Sequence, residues 1–100
     1  MRTRFYIVIS LLINSTFCFA QQHIIDSIYS LLKTDKPDTN KVNHLTDLGW
    51  EYKSIGNYDT AIYYANSGLN LAQKLNYKSG IASAYNTLGV TYQIKGNYSE

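Results

Sequence analysis

Leu48-Gly49-Trp50-Glu51-Tyr52-Lys53-Ser54-Ile55-Gly56-Asn57-Tyr58 returns forty residues later as Leu88-Gly89-Val90-Thr91-Tyr92-Gln93-Ile94-Lys95-Gly96-Asn97-Tyr98. Six of the eleven positions are identical, where composition alone would give about one, so self-similarity at a fixed period dominates this 100-residue chain. Each repeated residue has a physical reason. Gly49 and Gly89 fall in helix interiors, where Gly costs up to about 1 kcal/mol against Ala. Their recurrence therefore points to a place where a second helix packs on bare backbone. Tyr52 and Tyr92 lie one turn on along the same face, where a ring can be buried while its hydroxyl stays wet. Gly56-Asn57 and Gly96-Asn97 supply a tight turn, the Gly taking the left-handed conformation that ends a helix and the Asn capping the next.

Outward from this unit, the chain reads as helices. It has one Pro, Pro37, and no alternating apolar and polar stretch that would support a strand. Ile24, Ile28, Leu31 and Leu32 recur at spacings of three and four and predict a helix over Gln22 to Lys33. Lys36-Pro37-Asp38-Thr39-Asn40 breaks it, with Asp38 or Thr39 placed to cap the next. A helix from Lys41 to Ser54 carries Leu45, Leu48, Gly49 and Tyr52 as one stripe. A longer one from Tyr58 to Leu75 carries Ala61, Ala65, Gly68 and Ala72 in a row beside Ile62 and Leu69, with Ala61 facing back towards Gly49. After a turn at Asn76 to Ser79, a fourth helix is expected from Gly80 to Lys95, ended by Gly96-Asn97-Tyr98.

These residues resemble the tetratricopeptide repeat family, whose pattern is W-x2-L-G-x2-Y, then A-x3-F, then P. The first copy has Leu45-x2-Leu48-Gly49-x2-Tyr52 with Ala61 at the matching distance; the second has Tyr85-x2-Leu88-Gly89-x2-Tyr92, with an aromatic residue where the pattern has Trp. Three features depart from it. Ala65 stands at the F position with Tyr63 and Tyr64 adjacent, Gln73 stands at the Pro position, and the period is 40 against about 34, which implies a lengthened second helix. The resemblance implies an all-α chain of helix-turn-helix repeats stacked as an α-solenoid. Residues 21–40 form a capping helix and loop, 41–80 a first repeat, and 81–100 a second that stops after its first helix.

By the same resemblance, the first helix of each pair lines a concave groove for peptides or partner proteins. The positions implied are Asn43, Thr46, Trp50 and Lys53 in copy one and Ser83, Asn86, Val90 and Gln93 in copy two, each set spaced three, four and three. Leu45, Leu48, Gly49, Tyr52, Ala61, Tyr85, Leu88, Gly89 and Tyr92 are the implied repeat-packing residues. Trp50 is open to two readings, a contact residue in the groove or a ring packed on a neighbouring helix. Family members that grip a C-terminal carboxylate do so with several Lys, Arg and Asn residues. Only Lys53, Asn43 and Asn86 are available here, so that clamp is not expected.

The opening segment has a different character. Arg2 and Arg4 precede an apolar run from Phe5 to Ile13, Asn14-Ser15-Thr16 is polar, and Cys18-Phe19-Ala20 puts small residues at the −3 and −1 positions. That is the pattern of a secretory signal peptide over residues 1–20, cleaved after Ala20, and it predicts export to a bacterial periplasm. The run is too short to span a bilayer, and Phe17 before Cys18 argues against lipidation. Without this segment the formal +2 charge disappears. Residues 21–100 hold seven Lys against seven acids and no Cys, which argues against nucleic-acid binding, disulfides and cysteine chemistry.

No metal, cofactor or catalytic constellation stands out. His23 and His44 lack ligand spacing, and Asp47 and Glu51 read as a solvent face, so no enzyme activity is expected within these residues. Copy two stops where its second helix should begin, while repeat arrays need roughly three units. The expectation is therefore the N-terminal part of a longer exported protein, with membrane anchoring and a downstream catalytic domain left open. Were Glu100 the true end, self-association would have to complete the core. Two functions remain in view: a scaffold that binds proteins or peptides, and the extracytoplasmic input domain of a membrane sensor kinase or DNA-binding regulator.

Overall fold

A computed structural model describes residues 20–99, with side chains as far as Asn97. The expected signal peptide therefore lies, apart from Ala20, outside the described residues. Four helices follow in order: α1 over residues 20–32, α2 over Thr39–Ser54, α3 over Tyr58–Lys74 and α4 over Lys78–Ser99.

Helix ends are set by local chemistry. Asp38 caps α2, its side chain accepting from the N–H groups of Asn40 at 3.0 Å and Lys41 at 3.3 Å, so two of the helix's four unpaired donors are satisfied. Gly56 ends α2 with φ +85°; its N–H donates to the carbonyl of Lys53, and the N–H of Asn57 donates to that of Tyr52. The same pair of bonds closes α3, from Asn76 to Gln73 and from Tyr77 to Ala72, with Asn76 at φ 54°. Asn is the non-glycine residue that best tolerates this geometry, so Asn76 does for the second turn what Gly56 does for the first. Asn57 stands at the start of α3 but its side chain makes no capping bond there, contrary to the expectation from sequence.

The core lies where α3 meets both neighbours. Ala65 and Leu69 of α3 form a buried cluster with Ala84 and Leu88 of α4, flanked by Ile62 and Ile81. On the other side, a Cβ built on Gly49 would stand 3.1 Å from the carbonyl oxygen of Ala61 and 3.2 Å from the nitrogen of Ala65. Backbone meets backbone there, which is why α2 carries Gly in mid-helix and α3 carries Ala. Above this crossing Tyr52 stacks on Tyr64 with centroids 5.5 Å apart and planes 4° apart. Tyr64 thus supplies the aromatic contact that Ala65 at the pattern's F position does not. Burial and the neighbouring tyrosines push the Tyr64 hydroxyl pKa up.

Three expectations are corrected. The buried residue of α1 is Ile25, with Ile28 and Leu32 half-buried, while Ile24 and Leu31 are exposed. The contact stripe is Ile25-Ile28-Leu32, also spaced three and four, and sequence spacing alone does not distinguish it from its neighbour. Of the packing residues implied in copy two, Leu88 is buried, but Tyr85 and Tyr92 are each 55% exposed and Gly89 has nothing within 4 Å of a built Cβ. The face that α3 covers in copy one is uncovered in copy two among the described residues. The end expected at Gly96-Asn97 is also not where the helix stops, since α4 runs on to Ser99.

Candidate functional site

Because α3 packs against both α2 and α4, those two helices come side by side with a groove between them. It is an open concavity of about 460 Å³, walled by Asn43, Thr46, Asp47 and Trp50 from α2 and by Ser83, Asn86 and Thr87 from α4. Five of the eight positions implied by the sequence line it: Asn43, Thr46, Trp50, Ser83 and Asn86. Lys53 turns away, with its ammonium 3.3 Å from the centroid of the Trp50 ring, and lines a neighbouring depression of about 540 Å³ with Ser54, Tyr58, Ile94 and Asn97. Val90 is half-buried and Gln93 exposed, and neither lines the groove.

The five differ in role. Thr46 is only 5% exposed and donates its hydroxyl to the carbonyl of Asn43 at 3.0 Å, so it forms floor rather than contact surface. Its methyl presses on Gly68, where a built Cβ would stand 2.9 Å away. Asn43 is held from across the groove, since Tyr77, at the entry to α4, donates its hydroxyl to the Asn43 Oδ1 at 3.1 Å. That bond fixes the amide with its NH2 group left over. Trp50 is 41% exposed and lines the groove rather than being buried on a helix.

Two lining residues escaped the sequence reading. Asp47 and Thr87 each lie one helical turn from a chosen residue, Asn43 and Ser83, so a broader stripe at i and i+4 would have included both. Asp47, expected on a solvent face, is exposed and lines the open groove. Partial burial on the groove wall raises its carboxyl pKa, with His44 acting in the other sense. His44 itself is engaged behind the wall, its Nδ1–H donating to Asp35 at 2.5 Å and so tying the segment after α1 to α2.

Among the described residues no group of three His, Cys, Asp or Glu could hold a metal ion, and no helix is long and apolar enough to cross a membrane. Searches of curated proteins and of solved structures each returned no match. Residues 14–100 match the family described as the SusR N-terminal TPR domain, and the match reaches back into the segment expected to be a signal peptide. Helix pairs joined by tight turns, the Gly49–Ala61 crossing and a family match over most of the chain agree: the chain belongs to the SusR N-terminal TPR domain family.

Proposed function

We propose that this chain is a non-catalytic domain, exported from the cytoplasm through residues 1–20, that binds a segment of a protein or peptide in the groove between α2 and α4. The observation that carries this reading is the convergence of unused polar groups there. The Asp47 carboxylate, Ser83 hydroxyl and Asn86 amide make no hydrogen bond within the described residues, and Asn43 keeps its NH2 group. Beside them stands Trp50, a rigid ring that contributes contact area at little entropic cost. Such a wall can bind the alternating N–H and C=O groups of an extended chain.

A second reading adds to this one. The matched family is that of an N-terminal domain, which supports placing this chain at the front of a longer protein, where the groove would serve as the input of a signalling receptor. The binding reading is tested by selecting peptides from a random displayed library on the purified protein, then measuring their affinity for Trp50→Ala and Asn86→Ala variants. Losses of about tenfold are expected, on the scale of an interface hot spot. Unchanged affinity in both variants would remove the groove from the account.

A further inference from the structure

We propose that the groove selects segments bearing a lysine, whose ammonium seats against the Asp47 carboxylate. This deepens the peptide-binding reading and rests on it. The charge distribution carries the argument. Asp47 is the sole ionisable residue among those lining the groove, and no Lys or Arg shares the wall. Lys53 of α2 stands over the Trp50 ring and lines the adjoining depression instead. Two lysines, Lys41 and Lys74, flank a separate depression of about 360 Å³ between α2 and α3. An acidic segment would be drawn there, and a basic one to Asp47.

The second observation concerns the carboxylate's surroundings. Asp47 makes no hydrogen bond or ion pair in the described residues, and burial raises its pKa despite the nearby His44. An exposed carboxylate on a groove wall that carries no Lys or Arg gains when a cation seats against it. Ser83, Asn86 and the Asn43 NH2 group stand across and along the groove from it, placed to hold the backbone on either side of the lysine. This preference has the opposite sign to that of a groove gripping a terminal carboxylate, which would need cations on this wall.

The test uses three degenerate pools of acetylated, amidated pentapeptides that differ only at the central residue: Lys, Glu or norleucine. Each is titrated into 15N-labelled protein while the Trp50 indole N–H and the side-chain NH2 signals of Asn43 and Asn86 are followed. The Lys pool is expected to bind about fivefold more tightly than the norleucine pool, the scale of a partly exposed ion pair, with the Glu pool weakest. Asp47→Asn should erase the difference between the three pools; Asp47 lies on the exposed wall of the groove and makes no hydrogen bond in the described residues, and an unchanged 15N spectrum away from the groove checks that the variant is folded. Equal binding of the three pools, or a Lys preference that survives Asp47→Asn, overturns the charge inference and leaves the groove standing. Failure of every pool to move these signals overturns both.

Discussion

Gly49 and Gly89 hold the same place in two copies of one sequence unit, flanked in each by Leu on one side and by Tyr a turn later. Around Gly49 the backbone of α3 approaches so closely that a Cβ would stand 3.1 Å from a carbonyl oxygen; around Gly89 there is open space among the described residues. Tyr52 stacks on Tyr64, whereas Tyr92 is 55% exposed. Gly56 turns the chain at φ +85°, whereas α4 continues straight through Gly96. The residues are alike, and among the described residues only copy one has a helix laid over them. A repeat motif thus specifies a packing surface rather than a packed state, and the covering helix turns one into the other.

That contrast can be broken most forcefully with one substitution at both sites. Gly49→Leu should lower stability by about 3 kcal/mol, read as a fall in the thermal midpoint, because the side chain meets the α3 backbone, which cannot move aside. A comparable loss from Gly89→Leu would show that copy two is covered after all. Gly80→Ala sharpens the picture at the start of α4. A Cβ there would stand 2.6 Å from Val42 Cγ1 and 2.7 Å from Tyr77 Cδ2, so a loss of about 1–2 kcal/mol is expected in denaturant titration. Asp38→Ala should cost about 1 kcal/mol by removing two capping bonds, while Asn57→Ala, which removes none, should cost markedly less.

Gly89→Ala should act in the opposite sense, raising stability by about 0.5–1 kcal/mol through helix propensity alone, since nothing opposes the added methyl. The smallest effect belongs to Asp47. Its folded carboxyl has a pKa above the ordinary value, so the folded state favours the protonated form, and stability gained by protonation is lost as pH rises through the folded pKa. Asp47→Asn should therefore melt slightly above the parent at neutral pH. The gap should close as pH falls below the ordinary carboxylate range; a gap of constant size would refute the desolvation argument.

Much of this was legible in the residues. The turn at Gly56 and the Ala61-Ala65-Gly68-Ala72 row follow from chemistry that acts within a few residues, and the structure places them as read, while between Asp38 and Thr39 it assigns the cap to Asp38. Asn76 as the second left-handed stop was harder to see, because Asn takes that conformation only when the chain demands it. The face of α1 was misjudged by one residue, Ile25 for Ile24, since an apolar helix in this range offers two stripes and only tertiary contact chooses between them. Gly80 gave no signal at all, because its need for glycine arises from Val42, thirty-eight residues away. In the groove, Asn43, Trp50, Ser83 and Asn86 came from the repeat pattern. Asp47 and Thr87 were missed because a groove wall is broader than a single file of side chains.

Amide hydrogen exchange along α4, compared with α2, tests most directly whether cover rather than sequence separates the two copies. In α2, packed from Val42 through Gly49, protection should persist to Tyr52. In α4 it should be strong from Ala84 to Thr91, where Ala84, Thr87, Leu88 and Thr91 are buried, and fall away from Tyr92 to Asn97. Equal protection of Tyr52 and Tyr92 and of the residues that follow each would contradict the account, for it would mean that copy two is packed as tightly as copy one.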